Sequence, residues 1–439
     1  MRRDPDEYAW LLRGAFSGEE RRGIVRDLLT ARGGRGKDGG RRRQESRPAA
    51  PDYGPAFHGL SFRLADAMAE MARQRQQLPA LLERLRELSP DDRRIVLRSD
   101  PAFHNWALGE RLIEESRKSL GSDLGHAREL AGSAVIVAEA LEPADGFGGA
   151  LVNDLKARAW GSLGEALRRL SDLRRAGEAF AAAEAFISQG TGDALEEAGL
   201  LELKALLYRD QSRTGEAHHL LDEAIAVYRR YRDSHLMGRG FIQKGRVHGQ
   251  AGELEPAIEW LRKGLSLIDP ERDRPLDLAA RHCLMLYLTE GGRPREARFL
   301  LKATRAEVLR HGSPWLLSRL RWLEGKIYDA LGFPAEAERG LLDARQGFLD
   351  LKAELNAAAA SLDLAGLYVA QGRAAEVRSL VAEVLPIFRS RDLHRETIAA
   401  LIALEQASRR ETTSARLLAE VRDHLDRARR DPTLRFEPL

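Results

Sequence analysis

The sequence predicts an all-α solenoid, a stack of repeated helix pairs. Three observations predict it. An alanine recurs at Ala176, Ala217, Ala257, Ala297 and Ala337, with Val377 as the sixth, at a spacing of 41 and then 40 residues. A second small residue keeps step with it at Gly164, Ala205, Gly245, Gly325 and Ala365, with the larger Met285 in the fourth copy. Helix-ending signals fall between the two marks, at Ala251-Gly252-Glu253, Gly291-Gly292-Arg293-Pro294, Leu331-Gly332-Phe333-Pro334 and Gln371-Gly372-Arg373. A fixed period of this length means stacked units, none of which buries its apolar face alone.

Each mark has a physical reason. Glycine at the 164, 245 and 325 places lets two helices approach closely, and the alanines do the same where the second helix crosses. Phe180, Leu221, Leu261 and Leu341 fill the space between units. Glycine supplies the left-handed residue that closes a helix, and proline sits just beyond or starts the next one.

Together these residues resemble the tetratricopeptide repeat, a helix pair with W-x2-L-G-x2-Y in its first helix and A-x3-F-x2-A in its second. The first copy reads Trp160, Leu163, Gly164, Leu167, then Ala176, Phe180 and Ala183. The second supplies Ala205, Tyr208, Ala217, Leu221 and Ala224, the fifth Gly325, Tyr328, Ala337, Leu341 and Ala344, and the sixth Ala365 and Tyr368. The likeness covers roughly residues 150–400. The family's usual period is about 34 residues. The longer one here is similar to the repeats of kinesin light chains, spindle-orientation adaptors and bacterial peptide-sensing regulators. HEAT and armadillo units share the length but lack the paired marks. The resemblance implies a right-handed superhelix of helix–turn–helix repeats with helical caps. It also implies a concave groove lined by the first helices, which holds other molecules rather than transforming them.

Along the chain, Asp4-Pro5-Asp6-Glu7 and Ser17-Gly18-Glu19-Glu20 start two short helices within residues 1–30. A pair this short needs a surface to dock on, through Tyr8, Trp10, Leu11, Leu12 and Phe16. Its own solenoid, a second copy and another protein all fit. Residues 31–55 form a flexible basic linker. Residues 56–149 form a helical N-terminal cap, with helices over Ser61–Gln76, Leu78–Leu88 and Asp91–Leu97. The cap ends in a pair over Asp100–Leu120 and Gly125–Leu141, whose Ala127, Ala131 and Ala134 mark a degenerate repeat. Six repeats occupy 150–392. Leu393–Arg409 and Thr413–Arg430 form a capping pair over 393–430, and 431–439 is a tail. Terminal units are atypical because one face meets water.

The 439 residues are 43% hydrophobic and 6% aromatic, which suits helix stacks rich in alanine and leucine. The single cysteine, Cys283, excludes an intrachain disulfide and a cysteine zinc cluster, and reads as a core residue. The start, MRRDPDEYAW, lacks the apolar core of a signal peptide. No apolar run of about 18 residues occurs, so a soluble cytoplasmic protein without membrane attachment is expected. Only nine of the 70 basic residues are lysine, which points to a GC-rich bacterial genome. Net charge is +3, yet residues 1–50 hold 13 basic against 8 acidic residues, so the remainder is close to neutral. The excess sits in Arg32–Arg47, which either stays a solvated linker or attracts nucleic acid without sequence preference.

Catalytic signatures are absent: no H-E-x-x-H, G-x-S-x-G or Walker motif occurs. Gly33-Gly34-Arg35-Gly36-Lys37-Asp38 has an aspartate where a phosphate loop needs Ser or Thr. His218 and His219 are adjacent, so on a helix their rings diverge by roughly 100° and share no metal. No enzyme activity, cofactor or metal is expected.

The first helices remain. By the resemblance, their groove-facing places hold Arg158, Glu165 and Arg168 in the first copy, and Arg239, Ile242 and Arg246 in the third. The fourth copy gives His282 and Leu286, and the fifth Arg319, Trp322 and Lys326. Arg158, Arg239 and Arg319 share one place in alternate copies, and Arg246 and Lys326 share another. This reads either as a basic ladder for an acidic or carboxylate-ended peptide or as a solvated face paired with Glu165, Glu202, Asp210 and Asp329. The expected function is a protein- or peptide-binding scaffold or regulatory adaptor. The alternatives are a peptide-sensing transcription regulator, or a nucleic-acid-associated protein using the linker and groove. Nucleic acid is not the expected partner, and no DNA-reading helix-turn-helix precedes the repeats.

Overall fold

The computed structural model describes residues 54–142 and 148–389, together with 416, 417, 420, 421 and 424. Among them it is all-α: sixteen helices and one 3-10 turn, with no strand. The chain divides into two compact units, Met1–Leu207 and Tyr208–Leu439. Helix–turn–helix pairs build both. The N-terminal segment with Tyr8, Trp10, Leu11, Leu12 and Phe16, the basic stretch Arg32–Arg47, most of the C-terminal capping pair and the tail lie outside the described residues.

The first unit contains α1 (Gly54–Glu87), α2 (Pro90–Ser99), the 3-10 turn Pro101–Phe103, α3 (Trp106–Ser119), α4 (Leu124–Ala140), α5 (Gly149–Arg169), α6 (Leu173–Ile187) and most of α7 (Ala194–Asp210). Side chains at the helix starts satisfy free backbone donors. Asn105 accepts from the Leu108 N–H, Asp123 from that of His126, and Asp172 from that of Arg175. One expectation is corrected. The segment read as two helices is a single one, α1, running through Pro79. Proline inside a helix removes a donor and crowds the preceding turn. Met71, Leu81 and Leu85 flank it and join one core with Leu97, Phe103 and Trp106, which offsets that cost.

The second unit contains α8 (Thr214–Arg230), α9 (Ser234–Gln250), α10 (Leu254–Leu265), α11 (Arg274–Glu290), α12 (Pro294–His311), α13 (Pro314–Ala330), α14 (Pro334–Asp350), α15 (Glu354–Ala370) and α16 (Ala374–Arg389). The first helices α9, α11, α13 and α15 begin at Ser234, Arg274, Pro314 and Glu354, which carries the sequence period into the backbone.

Two devices set each pair. A Cβ on Gly164 would lie 2.7 Å from the Phe180 ring, and one on Gly325 2.7 Å from Leu341. The helices therefore meet where the side chain is missing. At the turns, Gly252, Gly292, Gly332 and Gly372 hold φ of 71–81°, and Ser171 and Ser212 stand in the same places at 64° and 60°. The next residue's N–H then reaches back five positions: Asp172 to Leu167, Arg213 to Tyr208, Glu253 to His248, Arg293 to Leu288, Phe333 to Tyr328 and Arg373 to Tyr368, at 2.7–3.0 Å. This closes the free carbonyls of the first helix. No helix among the described residues is long and apolar enough to cross a membrane.

Candidate binding surfaces on the first helices

In the first unit, Arg158 lies on α5 in a polar pocket of about 190 Å³. The lining comes from α3 (Trp106, Glu110), α5 (Leu151, Asp154, Arg158), the loop after α6 (Thr191, Asp193) and the first turn of α7 (Glu196). Arg158 donates to Glu110 at 3.3 Å and stands 3.9 Å from Glu196. Its guanidinium is 6.0 Å from the Trp106 ring centre. Asp154 accepts from the Thr191 N–H at 3.1 Å and from its hydroxyl at 2.6 Å. Burial lifts the Asp154 and Glu196 carboxyls above their ordinary values; the two Thr191 hydrogen bonds and then the Arg158 charge only partly oppose this at Asp154, and the Arg158 charge does so at Glu196. The first rung of the expected ladder thus stands among four carboxylates. Further along α5, Arg168 donates twice to Glu165, at 2.7 and 2.8 Å, and both side chains are buried.

In the second unit the ladder residues lie on α9 and α13, and the other expected groove residues on α9, α11 and α13. Arg239 donates to the Tyr228 hydroxyl at 3.2 Å, and Arg246 to the Gln243 side chain at 3.1 Å. Lys326 meets Glu290 at 3.3 Å. His282 is buried, and its Nδ1 has no hydrogen-bond partner. Burial holds its imidazole well below the ordinary histidine value, and the nearby Arg319 and Lys326 charges push it the same way. His282 on α11 is therefore within electrostatic reach of both Arg319 and Lys326 on α13. Trp322 donates from Nε1 to Asp363 at 2.7 Å and meets Phe348 edge-on at 5.8 Å. Leu286 is half-buried.

Ile242 is corrected. It is 1% exposed and belongs to the core, so it offers no pocket to a ligand. The reason is local: a Cβ on Gly264 would stand 2.6 Å from Ile242 Cγ1, so the bare backbone of α10 closes over it. Reading the first helix alone could not foresee a cover supplied by the second.

Sequence reasoning also missed Trp106, Glu110, Asp154, Thr191 and Glu196. Glu110 and Glu196 lie about one repeat to either side of Arg158, and that spacing was the available signal. A further pairing, His218 over His248 with ring centres 4.1 Å apart, joins a second helix to the next first helix. Among the described residues no cluster of three or more His, Cys, Asp or Glu is placed to hold a metal ion.

No protein-family model matches the chain, and no curated protein matches it. Solved structures do. A Rap protein complexed with competence and sporulation factor is similar over 74% of this chain and 92% of its own, at 13% identity and a TM-score of 0.53. Aspartyl phosphate phosphatase F from Bacillus subtilis is similar over 73% and 82%, at 13% identity and 0.51. The apo form of the quorum sensor NprR from B. thuringiensis is similar over 69% and 81%, at 14% identity and 0.51. Likeness at such identities speaks of fold alone, and the chain has the tetratricopeptide-like repeat fold that these proteins share.

Proposed function

We propose that this chain is a non-catalytic module that holds a protein or peptide partner along its first helices, as a scaffold or regulator. One observation carries the reading. Arg239 and Arg319 occupy one place of the repeat and Arg246 and Lys326 another, and all four are partly exposed. Identical register on α9 and α13 sets these cations in rows at the spacing of the repeat. Arginine forks suit carboxylates, so an acidic or carboxylate-ended peptide is the natural ligand. Leu286 and Trp322 offer it apolar contact. The Rap protein complexed with competence and sporulation factor supports the idea that this fold can hold a partner. Cytoplasmic residence accords with such a role. Residues 1–30, through Tyr8, Trp10, Leu11, Leu12 and Phe16, are proposed as a docking segment for this groove or for the partner.

The test is affinity capture from source cytosol with mass spectrometry, comparing wild type with Arg239→Glu/Arg246→Glu/Arg319→Glu. Helical content of the variant must first be unchanged. A partner bound by wild type and lost with the variant supports the groove. A partner retained equally sinks the assignment. Deleting residues 1–30 should increase capture if that segment competes for the groove. Recovery of nucleic acid with a steep salt dependence would favour the alternative reading instead.

A further inference from the structure

The fourth pair departs from the repeat, and a crevice lies beside the departure. Met285 stands where glycine lets the first, third and fifth pairs close. Its side chain is fully buried in one core with Leu301 of α12. A thioether chain cannot collapse to the thickness of a glycine, because cores pack to near-crystalline density. The backbones of α11 and α12 come close at fewer places than those of α9 and α10 or of α13 and α14.

Between α10, α11 and α12 lies an open crevice of about 550 Å³. Leu265, Leu284 and Leu300 form its apolar lining, with Phe299 beside them. Phe299 is 78% exposed, more than any other large hydrophobic side chain among the described residues. The polar lining is Arg262, Arg281, Arg295 and Glu296, three cations against one carboxylate. Arg262 holds Glu296 at 2.7 Å, and Arg281 holds Asp277 at 2.8 Å. Arg295 is exposed and makes no ion pair among the described residues.

These features restrict the occupant. The apolar lining and bare phenyl ring call for an aliphatic anchor; Glu296 and Asp277 already meet Arg262 and Arg281, so Arg295 is the cation that calls for a carboxylate, and the forks of the other two can share one. The walls are helices whose backbone groups are already bonded, so an extended strand would find no edge to pair with. A helix satisfies its own backbone and needs no such edge. We infer that the crevice between α10, α11 and α12 docks an acidic amphipathic helix of a partner protein, with leucine-type anchors beside Phe299 and carboxylates on Arg262, Arg281 and Arg295. Second helices supply most of this surface, so it stands independently of the groove proposed above.

Fluorescence anisotropy on the full chain tests it. The probe is a labelled 18-residue helical peptide with leucines at i, i+4 and i+7 and glutamates flanking them. One counter-peptide has lysine for every glutamate, and another serine for every leucine. Wild type should bind the probe at least about tenfold more tightly than either counter-peptide. Phe299→Ser and Arg295→Glu, both at exposed positions, should each weaken binding by about three- to tenfold. Arg174→Glu, at an exposed cation of α6 outside the crevice, should leave it unchanged, and Arg239→Glu/Arg246→Glu on α9 reports any binding of the probe in the groove instead. Equal affinity for a counter-peptide, no saturation by about 1 mM, or sensitivity to the α9 variant but not to the crevice variants would overturn the inference.

Discussion

A Cβ on Gly245 would stand 2.8 Å from Cγ of Leu261 and 2.9 Å from the Ala257 carbonyl oxygen, so α9 and α10 touch through a missing side chain. One of those neighbours is backbone and cannot rotate away. Gly245→Ala should therefore destabilise the protein by about 1–3 kcal/mol, as overpacking does. Gly366, inside α15, has nothing within 4 Å of its Cβ position. Gly366→Ala should be neutral or stabilising by up to about 1 kcal/mol. Urea unfolding of the two variants measures the contrast. Equal effects would mean that close approach is not what the small residue serves.

Ser171 and Ser212 adopt the left-handed backbone that glycine holds in the four later turns. That region costs a side-chain-bearing residue about 1 kcal/mol or more. Replacing either serine by glycine should raise stability by about 0.5–1 kcal/mol, despite the added freedom of the unfolded chain. Gly252→Ala should lower it by about 1 kcal/mol. Thermal melts of the three variants provide the check, and a destabilised Ser171→Gly would contradict the turn argument.

Burial, assisted by Arg319 and Lys326, keeps the His282 imidazole neutral in the folded chain. In the unfolded chain its pKa is near 6.5. Above that pH both states carry a neutral ring, and the group adds no slope. As pH falls below it, the unfolded chain takes up the proton first, so stability declines until the folded ring titrates as well. His282→Gln should flatten this decline between pH 7 and 5, whereas an unchanged slope would place the effect elsewhere. His218 and His235, also depressed by burial, contribute the same sign in both proteins.

Thr191 presents both its N–H and its hydroxyl to Asp154. Asp154→Ala leaves two donors without that acceptor and should cost about 1–3 kcal/mol. Asp154→Asn keeps one acceptor oxygen and should cost less. Chemical denaturation of both variants separates the bond from the charge.

Much of the fold was legible because it is periodic. The marks at Gly164 and Ala176 repeat often enough to outweigh any one ambiguous segment, and the turn glycines give the breaks. The cap was less legible: Ser61–Gln76 and Leu78–Leu88 read as two helices, yet long-range packing of Met71, Leu81 and Leu85 holds α1 as one through Pro79. The groove was legible as places rather than as environments. Arg158 and Arg239 share a place in the repeat, but Arg158 has Glu110 beside it whereas Arg239 has Tyr228. Those partners come from other helices, and a pattern read within one helix does not contain them.

The bonds between side chains of different helices join positions little more than one repeat apart at most, from the 11 between Arg239 and Tyr228 to the 48 between Arg158 and Glu110. Arg262 with Glu296, Lys326 with Glu290 and Trp322 with Asp363 lie 34, 36 and 41 positions apart. Each hairpin can thus be completed by its immediate neighbour, without waiting for a distant part of the chain. Such a chain has low contact order, which favours fast folding, and nucleation can start at more than one hairpin and spread outward. Damage should be as local as growth: a hairpin that opens loosens its neighbours before it loosens the whole.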